Sequence, residues 1–323
     1  MYNVLYLCDK NYYQSKMSRV RFHSINAISK IANVEMWGNN WPGYDSAKTV
    51  QENINASDFK PDVVIGYKPL EHRSFSEIKA IRCLRYNEMY DKNWTVSEIM
   101  QSKANLVICH HENDFKEYYP RLSNFTMWPI KSFHIAHCAE AKVFKDYQMP
   151  KKYDLFLGGA TNGHSILGRH YPLRDRMLNI MQHMSTLGYK CHVHQHPGYD
   201  LNDAHTNKYA IDFAKEINSA KIAITCSGAP KSRFGKYVEI PMCNTAVAAD
   251  LPDEDQESFK KFIIEINMSM SSVQIIDKLR RYLDNDKERE RLASLGHKWS
   301  KNYTHEKYAE RFIECVRQYK EEI

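Results

Sequence analysis

Short runs of β-branched and aliphatic residues recur along this chain, each followed by a stretch with helical spacing, and that alternation limits the folds open to it. In the first half the strand-like runs are 4–8, 34–37, 63–67, 83–86 and 106–109. Between them 20–31, 96–102 and 114–119 read as helices, and apolar residues at 20, 25, 28 and 31 suit packing on one side. Strands alternating with helices build a parallel sheet with right-handed crossovers. The pattern restarts after the polar, proline-containing YQMPKK at 147–152. Strands are then expected at 154–157, 191–194, 222–225 and 246–249, and helices at 173–187, 207–218, 272–283, 286–299 and 305–321. A chain of 323 residues, 43% of them hydrophobic, can fill two cores, each of about 150 residues. The fold class is therefore α/β, with two domains in series joined near residue 148.

Composition narrows the classes further. Pro and Gly number only 11 and 12, which argues against long disordered or collagen-like segments. The formal charge of +6 is spread along the chain without a basic block of five; it suits polyanions and phosphorylated small ligands equally. The N-terminal MYNVLYLCDK lacks the basic start and apolar core of a signal peptide and reads as a first strand. There is no apolar run of the roughly 18 residues needed to span a membrane. The eight cysteines lack CxxC spacing, which fits reduced, buried thiols in a cytosolic protein.

Open parallel sheets bind ligands beyond the carboxyl ends of their strands, so the loops there carry the candidates. After 154–157 comes GGATNG, where Gly159 and Thr161 would let backbone N–H groups approach an anion. A helix opening near Pro172 adds partial positive charge, and Arg169, Arg174 and Arg176 are candidate phosphate contacts; a plain strand–helix connection is the alternative. Neither a GKS/T element nor GxGxxG is present, which disfavours a P-loop enzyme and a plain NAD-dependent dehydrogenase. After 191–194 runs HVHQHPGY. His192 and His194 share a strand face and formally suit zinc, but a parallel strand is usually covered and a further partner is needed, so no metal is assigned. His196, Gly198 and Tyr199, past the strand end, would line a ligand crevice. The loop CSGAPKSRFGK at 226–236 offers the amides of Ser227 and Gly228 with Arg233 and Lys236, a set suited to a diphosphate. The alternative is a solvated basic loop. Tyr237 and Glu239 follow at once. The Asp-x-Asp matches at 253–255 and 284–286 read as surface turns, Asp286 being a good N-cap.

In the first half Asp9, Lys16, Ser18, Arg19, His23, Tyr67, Lys68, Asn87, Glu88, Asp91, His110 and His111 fall at or just past strand ends. His110 and His111 suggest acid–base or substrate contacts, because imidazole titrates near neutrality. Each of these residues also has a purely structural reading.

The run EIPMCNTAV at 239–247 resembles the E-A-M-A-C-G-T-P-V element of group 1 glycosyltransferases with the GT-B fold. The tail LRRYLDNDKERERLASLGHKWSKNYTHEKYAERF resembles their usual end, and GGATNGHSILGRHYPLR the first loop of their C-terminal domain. The likeness is closer to a subfamily with Arg-Phe before the glutamate and His-Thr or Thr-His in the last turn; it covers about 150–315, the first half matching in pattern only. It implies two Rossmann-like domains with parallel sheets facing a cleft: 1–148 on the acceptor side, 149–303 binding the nucleotide-sugar, and 304–323 a helix crossing back.

Carried over, Glu239 would bond the donor ribose, and Arg233 and Lys236 would steady the diphosphate and its departing charge. Gly159, Thr161, Arg174, His196, Gly198, Tyr199, Ser227, Gly228 and Tyr237 would complete the donor set. His110 is the candidate base, and Asp9, Ser18, Arg19, Glu88, Asp91 and His111 the acceptor side. The expectation is a metal-independent, retaining transferase without a cofactor, taking a nucleoside diphosphate sugar and a glycan or glycoconjugate acceptor, cytoplasmic or peripheral to a membrane. The alternatives are transfer to hydroxylated bases in DNA, prompted by the charge and 21 tyrosines, and a non-catalytic nucleotide-sugar-binding module. Two departures stand out: Lys231 occupies the place of a second glutamate, and Asn244 that of a glycine, which requires a residue tolerant of left-handed backbone.

Overall fold

The structure is a computed structural model that describes residues 1–15, 20–87, 91–122, 124, 126–161, 170–196 and 207–322, with the backbone alone at 20–22 and 118–121. Two compact units divide these residues: 1–136 with 305–322, and 137–196 with 207–304. The break falls before the expected boundary at 148. Val143 packs in one core cluster with Phe156, Phe213 and Tyr237, and Phe144 and Tyr147 pack against that cluster. Asp146 meanwhile accepts hydrogen bonds from Asn218 and Asn244. The segment 137–148 is thereby fastened to the second unit.

The first unit is built on β1 (Asn3–Leu7), β2 (Asn33–Trp37), β3 (Val63–Gly66), β4 (Ile81–Tyr86), β5 (Leu106–Cys109) and β6 (Lys131–His134). All pair in parallel, in the order β2-β1-β3-β4-β5-β6. The helices between are α1 (Lys10–Ser15), α2 (Val20–Ile28), α3 (Val50–Ala56), α4 (Lys92–Ser102) and α5 (Glu112–Leu122). Thr49 and Glu52 form a capping box that starts α3, and the Asp91 side chain caps α4; a cap of this kind contributes about 1 kcal/mol. Leu5, Leu7, Val64, Leu84 and Val107 alternate onto one sheet face against Val50, Ile54 and Ile99. In α2, Ile25 and Ile28 are buried, whereas Ile31 is exposed because the helix ends at Ile28.

The second unit carries β7 (Tyr153–Gly158), α6 (Pro172–Thr186), β8 (Cys191–His194), α7 (Lys208–Asn218), β9 (Ala220–Ile224), α8 (Lys236–Met242), β10 (Ala246–Ala249), α9 (Gln256–Phe259), β11 (Ile263–Glu265), α10 (Ser272–Leu283) and α11 (Asp286–Ser300). Its parallel sheet runs β11-β10-β9-β7-β8. Both faces are covered, as an all-parallel sheet requires. Leu155, Leu157, Ile222, Ile224 and Ala248 meet α6, α10 and α11 residues such as Met177, Leu279 and Leu292. Phe156, Ala223 and Val247 meet Phe213, Tyr237 and Phe259 on the other side. Full burial of an aromatic such as Phe156, 1% exposed, is worth about 1.5–3 kcal/mol.

The last helix, α12 (His305–Glu321), belongs to the first unit and packs on α2. Lys30 pairs with Glu306, and Lys320 with Asp62. Among the described residues no helix is long and apolar enough to cross a membrane. The cysteines are unpaired with one another, and all but Cys191 are buried.

Two strands lie outside the expected set. β6 reads KSFH and β11 only IIE; the first is too polar and the second too short for a pattern in the sequence. Asn244 takes φ of +52°, the left-handed geometry expected there. The cap of α11 is Asn285 rather than Asp286, which instead pairs with Arg289. The 253–255 turn is not wholly a surface feature either, since Glu254 is buried.

Candidate functional site

In the second unit the sheet order reverses direction between β7 and β9, the neighbouring strands whose following helices start on opposite sides of the sheet. Such a switch point opens a crevice at the carboxyl ends of the two strands. The loops after β7 and β9 meet there. Gly159 takes φ of +108°, and a Cβ on it would stand 3.0 Å from Arg174 Nη1 and 3.6 Å from Lys236 Cε. Glycine at this position therefore allows a close approach of backbone to two cations. Gly228, at φ +66°, is confined from the other side by the His170 carbonyl, 2.8 Å from where its Cβ would be. The Ala229 amide donates to that same carbonyl at 2.8 Å.

Glu239 stands in the first turn of α8 with its side chain 18% exposed. Lys236 Nζ donates to Glu239 Oε2 at 2.6 Å, and the ammonium sits 4.3 Å from the Phe213 ring centre. The absence of a side chain at Gly235 leaves room for the carboxylate, whose Oε1 would lie 3.2 Å from a Cβ there. A partly exposed carboxylate–ammonium pair beside a glycine-lined loop is thus assembled from residues of two strand ends.

The remaining expected donor residues are placed differently. Arg233 is 1% exposed. Its guanidinium stacks over Tyr303 at 4.1 Å, faces Trp299 at 5.5 Å, donates to the His137 carbonyl at 3.3 Å and lies 3.4 Å from Glu254 Oε1. The expected contact with a diphosphate does not fit this placement: the cation is neutralised inside the unit by a carboxylate from the DED turn. Tyr237 is fully buried, and its hydroxyl donates to the Asp250 carbonyl at 2.6 Å. Burial, followed by the nearby Asp250 carboxylate, pushes that phenol well above its usual range. Ser227 is equally enclosed, its amide and hydroxyl donating to Asp250 at 2.8 and 2.6 Å. Lys231, in place of the usual glutamate, takes φ of +53° and pairs with the same Asp250 at 3.0 Å. Asp250, not singled out by any sequence motif, therefore fastens the whole 227–237 loop. Arg174, 3% exposed, donates to the Ala160 carbonyl at 3.1 Å and to Thr225 Oγ1 at 3.3 Å. Thr161 and His196 are half-buried at the loop starts. Gly198, Tyr199 and Arg169 lie outside the described residues, as do Lys16, Ser18, Arg19 and Glu88 of the first half.

In the first unit the same reversal occurs between β1 and β3. Asp9 there is a turn-former: its Oδ1 accepts from the amides of Asn11 and Tyr12, and its Oδ2 from Asn40. Tyr67 hydrogen-bonds Tyr12 through their hydroxyls, and Lys68 lies 5.2 Å from the Tyr12 ring centre. A small cavity lined by Tyr6, Ser24, Ile65, Tyr67, Arg85 and Tyr308 opens on this side. His110 and His111 are fully buried, and His110 Nδ1 lies 2.6 Å from the Ile135 carbonyl. The expected acid–base role does not suit them, because neither ring has a solvent-accessible face. Asp91 is exposed and spends its carboxylate on the α4 cap.

A family model and solved structures show what this architecture is similar to. Residues 174–314 match a family described as "Glycosyl transferase-like". No curated protein sequence matches the chain significantly. Among solved structures, an alpha-glucosyltransferase in complex with UDP and a DNA 13-mer superposes with a TM-score of 0.64 at 9% identity, covering 98% of this chain and 100% of its own. HepE of Anabaena, solved with UDP and glucose, gives 0.60 at 10% identity, with 98% and 100% covered. Sucrose-phosphate synthase from Thermosynechococcus elongatus gives 0.58 at 11%, with 98% and 99% covered. The chain accordingly has the α/β, two-sheet GT-B fold of these glycosyltransferases and carries, over residues 174–314, a match to a glycosyl transferase-like family.

Proposed function

We propose that this protein is a glycosyltransferase that moves a sugar from a nucleoside diphosphate sugar to a hydroxyl acceptor. The observation that carries the reading is the Lys236–Glu239 pair beside Gly159 at the β7/β9 switch point. The family match over 174–314 supports it, as do the UDP complexes of the fold's relatives. The second unit is the donor-binding domain and the first the acceptor side.

Transfer builds positive charge at the anomeric carbon and negative charge on the departing diphosphate. A fixed cation at the leaving oxygen therefore stabilises the transition state more than the ground state. Lys236 fills that role. On donor entry its ammonium exchanges the carboxylate for a phosphate, and Glu239 Oε1 and Oε2 accept the ribose hydroxyls. Arg174 and Asp250 hold the two loops in place. The reaction is retaining and needs no metal at the diphosphate: the departing phosphate takes the acceptor proton, which leaves the buried His110 and His111 to structure. The acceptor is a growing glycan or glycoconjugate.

A second acceptor class is favoured by the net charge of +6 and by the DNA bound to one relative of the same fold. It predicts duplex binding whose affinity falls steeply with salt. A calorimetric panel of UDP-, GDP-, ADP-, CMP- and dTDP-sugars tests the donor. One sugar nucleotide should bind with saturation and the others much less tightly; no binding by any of them would refute the reading. Adding glycan or hydroxymethylated DNA acceptors with the bound donor then separates the two acceptor classes by product.

A further inference from the structure

β8 is the edge strand of the second sheet, and its two histidines do not face a sealed layer. His192 and His194, two residues apart, project to one side, where α7 brings Glu216 against them. His192 Nε2 lies 3.1 Å and His194 Nδ1 2.6 Å from the same Glu216 oxygen, Oε2. The three ligand atoms fall within 4.8 Å of one another. All three side chains keep some exposure, at 31%, 15% and 35%, so an ion has a path in and room for a water.

We propose that His192, His194 and Glu216 form a zinc-binding site that ties edge strand β8 to helix α7. Two imidazoles and one carboxylate with an open fourth position are a common zinc donor set; ligand distances of about 2.0–2.2 Å put ligand atoms roughly 3.4 Å apart around a tetrahedral ion. Reaching that separation takes about 0.3 Å more between His192 and Glu216 and about 0.8 Å more between His194 and Glu216, the latter shared between two side chains that both rotate at partly exposed positions. The surroundings hold the ligands in place. His192 stacks on Tyr153 with ring centres 4.5 Å apart and planes 12° from parallel. His194 packs edge-on to Phe213, and its Nε2 meets the Tyr209 hydroxyl at 2.8 Å. With zinc on Nδ1, the His194 proton resides on Nε2 and is donated to Tyr209 Oη, the outer-shell bond that metal-ligating histidines usually make.

The site backs onto the donor-binding residues of the same unit. Phe213 contacts His194 on one edge and Lys236 on its face. The ion is a tie between β8 and α7 and takes no part in transfer.

The test uses the full chain stripped with a chelator and titrated with zinc chloride by calorimetry, and with cobalt(II) by visible absorption. One zinc per chain should bind with saturation, cobalt should give the intense bands of a tetrahedral ion, and the melting temperature should rise with zinc. His192→Phe keeps the stacking ring and Glu216→Gln keeps a hydrogen-bond acceptor, so both should fold. Each should lower zinc affinity by at least about tenfold to a hundredfold and abolish the cobalt bands. Weak, multi-site or adventitious zinc that both variants retain unchanged would overturn the site. So would wild-type protein that binds no zinc while melting normally.

Discussion

The carboxyl ends of the two sheets occupy equivalent topological positions yet are furnished for different work. In the second unit both switch-point loops carry glycines at positive φ, Gly159 and Gly228, and a partly exposed Lys236–Glu239 pair. In the first unit the equivalent place is aromatic: Tyr12 and Tyr67 joined by their hydroxyls, Lys68 against a ring, and a cavity edged by Tyr6 and Tyr308. Backbone amides and fixed charge suit a phosphorylated ligand. Aromatic faces with hydroxyl tips suit a neutral, hydroxylated one, because they present an apolar body and a polar handle together. One fold used twice thus offers two chemistries, set by which residues end the strands.

Substitutions can break or sharpen that contrast. The largest expected effect is at Arg233, where methionine leaves Glu254 buried without its cation. Loss of one partner of a buried pair costs about 3–5 kcal/mol, so Arg233→Met should lower the melting temperature markedly. If stability held and only donor affinity fell, Arg233 would be a ligand residue and the second unit would carry more exposed charge than described. Next is Lys236→Met, which should cut turnover at saturating donor by roughly 10²–10³-fold, the usual effect of removing one fixed stabiliser of developing charge. Equal turnover in the variant would move the catalytic cation elsewhere. Glu239→Ala should weaken donor binding by roughly tenfold to a hundredfold, corresponding to about 1.5–3 kcal/mol for hydrogen bonds to a charged group; calorimetry with the donor reads this directly, and unchanged affinity removes Glu239 from the ribose.

The smallest effect concerns acid. His305 is almost fully buried, and burial, then the charges of His23, Arg85 and Lys30, hold its ring well below the ordinary histidine value of about 6.5. His72 is lowered as well, mainly by burial. The folded rings refuse a proton that the unfolded chain accepts, so stability is full above about pH 6.5 and declines as pH falls below it. In the second unit His170 is lowered by burial and by Arg174. His305→Gln should flatten the stability profile between pH 7.5 and 5.5; an unaltered slope would assign the acid sensitivity to His72 and His170 instead.

Much of the fold was legible because strand runs and helix periods are local. The runs at 106–109, 191–194 and 246–249 and the helix at 272–283 have the same bounds in the structure. The β6 and β11 strands were not legible, since pairing with a neighbour, and not composition, makes KSFH and IIE into strands. The site was partly legible. Glu239, Lys236 and Gly159 lie together, and backbone geometry at glycines and at Asn244 follows from side-chain sterics alone. Asp250 carried no signal, because it ends an apolar strand and its partners Ser227, Lys231 and Tyr237 come from a loop 13 to 23 residues earlier.

By itself the sequence determined the α/β class, the division into two series of strands and helices and the loops at strand ends, all of which arise within a few residues of chain. Only the tertiary structure decided which charges face solvent. It turned Arg233 inward to Glu254, closed His110 and His111 into a core, and set Glu216 of α7 against two histidines on an edge strand. The physical reason is that burial and electrostatic partnership depend on segments distant in sequence being packed together, and no local pattern encodes which of them will meet.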